Sequence, residues 1–170
     1  CLDMDKLPFL YDSLEDFENR IIYYESSRGC PFSCAFCLSG QRDKVLFLPK
    51  EEALALLLRV GKSGVSIVKL IDRTFNCDRK RTAYLLSGLM EARKRGELGQ
   101  VCYHLEVGAN LFDGELLALL RCAAQTRGLI ILTDSDGAGL VIRNFLRGAL
   151  PKEGVLHAYV PEIAGKEKRK

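Results

Sequence analysis

The chain has 170 residues, of which 48% are hydrophobic and 28% are charged, and its formal net charge is +3 at pH 7. This length and apolar content are enough to bury a hydrophobic core, and the balance of charges excludes a disordered segment. A net charge this small does not by itself indicate a nucleic-acid-binding protein.

The apolar residues and the cysteines bear on where the protein works. The longest apolar run, residues 53–58, is far shorter than the roughly 20 residues that cross a bilayer, and no signal-peptide pattern opens the chain. Seven cysteines, three of them within eight positions, suit metal ligation in a reducing compartment better than a disulfide framework. We therefore predict a cytoplasmic protein with no membrane partner. The chain begins at Cys1, as a fragment lacking its upstream part would.

Short apolar runs alternate with amphipathic stretches from the beginning of the chain to its end. This rhythm predicts the α/β class, with alternating βα units and a mainly parallel sheet. The five predicted strands are residues 20–25, 65–72, 101–107, 128–133 and 155–160. Four helices are predicted between them: one opening at Pro49, one starting near Asn76 or Asp78 and stopping at Gly96, one capped by Asp113, and one around residues 140–146.

The loop after the first predicted strand contains Cys30, Cys34 and Cys37. Three thiols in one loop can converge on a single metal centre, and a four-iron cluster with three thiolate ligands leaves one iron open for a substrate or cofactor. The alternatives are ordinary buried thiols or a structural zinc site. Zinc would need a fourth Cys or His, and no such residue stands out in the sequence.

The C-x-x-x-C-x-x-C spacing, with the aromatic Phe36 before the last Cys, resembles the signature loop of radical S-adenosylmethionine (radical SAM) enzymes. The segments 23–29 (YYESSRG), 72–76 (DRTFN) and 103–106 (YHLE) are similar to a subgroup that carries a cobalamin-binding domain upstream. The resemblance covers about residues 7–122. It implies a partial (βα) barrel, because only three of the family's six βα units are recognisable.

The resemblance implies a cofactor set and its ligands. Cys30, Cys34 and Cys37 would hold a 4Fe-4S cluster, and S-adenosyl-L-methionine would bind its open iron for radical chemistry on an unknown substrate. The further cofactor-binding residues would be Phe36, Asp72, Arg73, Thr74 and Glu106. A reductant such as flavodoxin or ferredoxin is the implied partner, and cobalamin is implied only if an upstream domain is missing. Asp72-Arg-Thr replaces the family's Gly-Gly-Glu, which puts the methionine contacts in doubt.

A second motif follows the fourth predicted strand. Asp134 and Asp136 stand at its carboxyl end, where two carboxylates can hold Mg²⁺ beside a phosphate. The alternative is an ordinary strand-to-helix turn in which Asp134 caps the next helix. With Ile142-Arg143, the strand 155–160 and the basic segment 165–170, this part resembles the Toprim domain of the nuclease family that matures 5S ribosomal RNA.

That resemblance implies Asp134 and Asp136 as Mg²⁺ ligands and RNA as the substrate, but the family's earlier strand with a catalytic Glu is missing here. We predict two domains, a partial radical SAM core over residues 1–122 and a partial Toprim-like, doubly wound segment over residues 123–170. The main functional hypothesis is a radical SAM enzyme fragment. The alternatives are a Mg²⁺-dependent Toprim nuclease fragment and an inactive chimeric α/β remnant.

Overall fold

The computed structural model describes residues 4–6, 8–35, 37 and 44–160. The chain forms two compact units, Cys1–Asp113 and Gly114–Lys170, each built on its own parallel sheet. Phe36 and the basic segment 165–170, to which the sequence patterns assign roles, lie outside the described residues.

In its described residues, the first unit contains five strands and two α-helices. In chain order they are β1 (Ile21–Tyr24), β2 (Ser27–Arg28), β3 (Leu46–Phe47), α1 (Lys50–Gly61), β4 (Ile67–Leu70), α2 (Arg79–Lys94) and β5 (Cys102–His104). Strands β1, β4 and β5 form a parallel sheet in the order β1-β4-β5, while β2 and β3 form a separate antiparallel pair. The β2–β3 pair was not predicted, because two-residue strands carry no periodicity to read.

The helices of the first unit begin where the sequence predicts. Pro49 precedes α1, and the Asp78 side chain caps α2 by accepting a hydrogen bond from the Arg81 backbone N–H at 3.0 Å. The two helices pack against each other, and the apolar stripe of each joins the core beneath the sheet residues Ile22 and Val68. Each fully buried Leu or Ile in such a core contributes about 1.5–3 kcal/mol.

The second unit contains α3 (Gly114–Thr126), β6 (Leu129–Thr133), α4 (Gly137–Ala149) and β7 (Val155–Tyr159). The two strands pair in parallel, with Ile131 opposite His157 and Thr133 opposite Tyr159. Helices α3 and α4 both contact β6. Because α4 connects two parallel neighbouring strands, the carboxyl ends of β6 and β7 meet at one edge of the sheet.

The predicted α/β class is confirmed, with alternating βα units and parallel sheets, and all five predicted strands are present. The boundary between the units lies between Asp113 and Gly114, whereas the predicted domain boundary at 122/123 falls inside α3. In the part of the chain that is described, no helix is long and apolar enough to cross a membrane.

Candidate metal-binding site

The loop after β6 exposes both of the predicted carboxylates, Asp134 and Asp136. Asp136, and not Asp134, is the N-cap of α4: its Oδ1 accepts a hydrogen bond from the Gly139 N–H at 2.7 Å. The cap uses one oxygen of Asp136 and fixes the orientation of the other. Two carboxylates therefore stand at the carboxyl end of a parallel strand, which is where α/β proteins bind their ligands.

Gly139 allows the first turn of α4 to lie directly on this loop. A Cβ atom at position 139 would be 2.1 Å from the carbonyl oxygen of Asp134 and 2.9 Å from its carbonyl carbon. Both distances are far shorter than any van der Waals contact, and both atoms belong to the backbone, which cannot swing away. The loop between β6 and α4 can keep this path only with glycine at position 139.

The loop is also tied to the end of β7. The Ser135 hydroxyl, between the two carboxylates in sequence, donates a hydrogen bond to the Val160 carbonyl at 2.8 Å. Two residues earlier, the Thr133 hydroxyl accepts a hydrogen bond from Arg143 Nη2 at 2.8 Å. The same nitrogen donates to the carbonyl of Ala158 at 2.5 Å, so a single side chain from α4 joins the ends of both strands.

Arg143 is almost completely buried, with 1% of its surface exposed. Its guanidinium carbon lies 3.7 Å from the centre of the Tyr159 ring, a close cation–π contact. Its Nε and Nη1 atoms are buried without a hydrogen-bond partner among the described residues. The sequence analysis named Arg143 only as part of a resemblance. On α4 it is spaced from the buried Gly139 and Leu146 as residues on one face of a helix are, and this spacing is the signal of an inward-facing residue.

His157, on β7, was assigned no role from the sequence. Its Nδ1 is another buried atom without a hydrogen-bond partner in the described part of the chain. Burial lowers the pKa of His157, and the positive charges of Arg143 and Arg147 lower it further. The imidazole is therefore neutral at pH 7.

Among the described residues, the three cysteines predicted as cluster ligands, Cys30, Cys34 and Cys37, are not part of a group that could hold a metal ion. Cys30 is half-buried, with its sulfur 3.4 Å from the Thr74 hydroxyl, whereas Cys34 and Cys37 are exposed. The Cys37 N–H donates to the Cys34 carbonyl at 3.0 Å, which closes a turn between them. Across residues 4–6, 8–35, 37 and 44–160, no group of three or more His, Cys, Asp or Glu residues is placed to hold a metal ion.

Asp72 is held inside the first unit, with 1% of its surface exposed. Its carboxylate accepts three hydrogen bonds, from the Ser26 N–H at 2.7 Å, the Ser26 hydroxyl at 2.6 Å and the Ser27 hydroxyl at 2.7 Å. The carboxylate thus ties the segment after β1 to the segment after β4. Arg73 and Glu106, the other charged residues predicted at this sheet edge, are exposed.

The second unit therefore has the features of a class of phosphate-metal sites: a parallel βα unit with paired carboxylates at its carboxyl edge, beside the amino end of a helix. No family model matches the chain. Ribonuclease M5 of Bacillus subtilis is 38% identical over 66 residues, which are 39% of this chain and 34% of the relative. Ribonuclease M5 of Staphylococcus aureus is 34% identical over 68 residues, which are 40% of this chain and 37% of the relative.

The chain spans little more than a third of the length of the curated relatives it matches. The matched stretch of 66 residues is longer than the predicted Toprim-like segment, residues 123–170, so the similarity cannot be confined to that segment. The similarity supports the Toprim part of the interpretation.

The radical SAM interpretation of the function is wrong, and so is the assignment of a 4Fe-4S cluster and S-adenosyl-L-methionine as the main cofactors. The relatives found are ribonucleases, and the described residues bring no three metal-ligating side chains together. The spacing of Cys30, Cys34 and Cys37 permits a cluster, and their role as ligands rests on the sequence resemblance alone. The flavodoxin or ferredoxin reductant and the conditional cobalamin rest on the same resemblance and have no other support.

Proposed function

We propose that the second unit is a metal-dependent RNA-binding unit of the Toprim nuclease type, in which Asp134 and Asp136 hold Mg²⁺ against a phosphate of RNA. The observation that carries the proposal is the pair of exposed carboxylates on a loop anchored to both α4 and β7. The ribonuclease M5 similarity supports RNA as the ligand.

The donor set suits Mg²⁺. This ion prefers oxygen ligands, keeps several water molecules, and is commonly held by one or two carboxylates together with a substrate phosphate. Asp134 would contribute its carboxylate, and Asp136 would contribute the oxygen that does not cap α4. Bound there, Mg²⁺ would polarise a phosphoryl oxygen. The amino end of the 13-residue helix α4 adds a partial positive charge that favours the same phosphate.

Cleavage of RNA requires more groups than the binding of RNA and Mg²⁺ does. Hydrolysis of RNA needs a group that activates the attacking oxygen in addition to a metal that neutralises charge. In the described ranges, no third carboxylate, histidine or cysteine joins Asp134 and Asp136 in a metal-binding group. We therefore expect Mg²⁺-dependent RNA binding with little or no cleavage by this chain.

The test uses the whole chain and a fluorescently labelled, structured RNA, with binding followed by anisotropy and cleavage by gel electrophoresis, with and without Mg²⁺. Asp136→Asn is informative because asparagine retains the helix cap but loses the charge. Asp134→Asn removes the other carboxylate. Glu153→Gln is the matched control, since Glu153 is an exposed carboxylate before β7, away from the carboxyl edge.

We expect both aspartate variants to lose Mg²⁺-dependent binding and Glu153→Gln to retain it. Binding that ignores Mg²⁺, or that survives in Asp134→Asn, would show that the carboxylate pair is not the site. Mg²⁺-dependent cleavage that disappears in Asp134→Asn would instead show that the chain is an active nuclease.

A further inference from the structure

Arg143 is a buried charge that packing alone does not explain. Its side chain is 1% exposed, and within the described residues no carboxylate forms a salt bridge with it. Burying a guanidinium without an acidic partner is costly, and two of its N–H-bearing nitrogens have no hydrogen-bond partner in the described part of the chain. A methionine or leucine would fill the same space without that cost, so the residue has a role beyond filling the core.

The contacts of Arg143 converge on the residues that flank the acidic loop. Its Nη2 donates to the hydroxyl of Thr133, the residue immediately before Asp134, and to the carbonyl of Ala158 near the end of β7. Its guanidinium group lies against the ring of Tyr159. Each contact is at the carboxyl edge of the two-stranded sheet, although Arg143 itself is on α4.

Ser135 forms the complementary connection. Its hydroxyl donates to the Val160 carbonyl, so β7 is joined to the acidic loop on both sides of Asp134. Because the residues before and after Asp134 are held by hydrogen bonds, the loop loses less conformational entropy when Asp134 binds a metal. Residues that orient ligands in this way typically change metal affinity 10- to 100-fold when they are replaced.

We propose that Arg143 is a positioning residue for the Asp134–Asp136 site: it joins the ends of β6 and β7 through Thr133 and Ala158 and so holds the Asp134 carboxylate in its metal-binding position. This inference rests on the proposed metal site. Arg143 does not touch the metal or the RNA, because its side chain is buried beneath the edge.

The test measures Mn²⁺ binding to the whole chain by electron paramagnetic resonance, which counts free Mn²⁺ directly. Four variants separate the effects of the charge, the hydrogen-bond donor and the acceptor on Mn²⁺ binding. Arg143→Met removes both the charge and the donor nitrogen, Arg143→Lys retains the charge and a donor nitrogen, and Thr133→Val removes only the acceptor. Arg147→Met is the matched control, because it removes the same charge from an exposed position one turn later on α4.

We expect Arg143→Met to weaken Mn²⁺ binding by about tenfold, Thr133→Val by a smaller factor, and Arg147→Met hardly at all. Arg143→Lys should recover part of the affinity, since an ammonium group can donate to both acceptors. All measurements are made well below the melting temperature, with folding checked by circular dichroism. If Arg143→Met does not fold, the difference between Thr133→Val and the hydroxyl-retaining Thr133→Ser decides the question.

Two failures can be told apart. If Arg143→Met and Thr133→Val bind Mn²⁺ as tightly as the wild type while Asp134→Asn does not, the positioning role is wrong and the metal site stands. If the wild type itself shows no Mn²⁺ binding that Asp134→Asn abolishes, the proposed function fails, and the role of Arg143 fails with it.

Discussion

Two loops of this chain carry side chains of the kind that bind metals, and the two loops differ in how neighbouring residues hold them. In the first unit, Cys34 and Cys37 are exposed and Cys30 is half-buried, with its sulfur 3.4 Å from the Thr74 hydroxyl. In the second unit, the acidic loop is anchored by the Asp136 cap, by the Ser135–Val160 hydrogen bond and by the close approach of Gly139. Ligand spacing in a sequence is thus not enough; neighbouring groups must also hold the ligands in place.

The two units differ again in how completely they cover their sheets. Ile22 and Val68 of the first sheet are fully buried, whereas on the second sheet Ile130 and its neighbour across the strands, Leu156, are exposed. The first unit therefore derives its stability from apolar burial to a greater extent than the second does. Four predictions test how the two units differ in what stabilises them.

The largest effect is expected at Asp72. Replacing it with alanine removes the acceptor of three buried hydrogen bonds and the carboxylate that contributes most to offsetting the charge of the buried Arg81. We expect the free energy of unfolding of the first unit to fall by about 3 kcal/mol or more, measured by chemical denaturation. Asp12→Ala, at an exposed position, is the control. A loss below about 1 kcal/mol for Asp72→Ala would contradict the structural role of this carboxylate.

The next effect compares the two sheets directly. Ile22 is 0% exposed and Ile130 is 66% exposed, although both lie on parallel strands. We expect Ile22→Ala to cost about 2–4 kcal/mol because it leaves a cavity, and Ile130→Ala to cost less than about 1 kcal/mol. Denaturation of both variants under the same conditions gives the comparison. Equal losses would mean that the exposed face of β6 is covered in solution.

Two glycines on α4 test how tightly the acidic loop is held. Gly139→Ala forces a Cβ against the Asp134 backbone, whereas a Cβ at Gly148 meets nothing within 4 Å. We expect Gly139→Ala to destabilise the second unit by about 1–3 kcal/mol and to weaken Mn²⁺ binding. Gly148→Ala should instead stabilise α4 by up to about 1 kcal/mol and leave Mn²⁺ binding unchanged. Similar behaviour of the two variants would show that the loop can move aside.

The smallest effect is a pH dependence from His157. Because its pKa is lowered in the folded state, the unfolded chain takes up a proton before the folded chain does. The contribution of His157 to stability is therefore intact above about pH 6.5 and declines as the pH falls below that value. We expect the melting temperature of the second unit to fall between about pH 7 and pH 5, and the fall to be reduced in His157→Gln but not in the control His104→Gln.

The secondary structure was largely predictable because it depends on local patterns. The apolar segment before Asp134 predicted β6, Pro49 and Asp78 predicted the starts of two helices, and all three are confirmed. The position of Asp134 and Asp136 directly after β6 also follows from the sequence, because the apolar segment that forms the strand ends just before them. The antiparallel pair β2–β3 was missed, because its strands are far apart in the sequence and are too short to show a pattern.

What the sequence determined by itself was the α/β class, the strand and helix order, and the presence of two loops with metal-binding residue types. Only the tertiary structure decided that the acidic loop is anchored on both sides of Asp134. Arg143 is ten residues from Thr133 in the sequence, and Thr133 and Ala158 belong to neighbouring strands. Even so, Nη2 of Arg143 donates hydrogen bonds to both of them. Such contacts depend on strand pairing and helix packing, which are long-range, whereas residue spacing within a loop reports only which side chains are near in the chain.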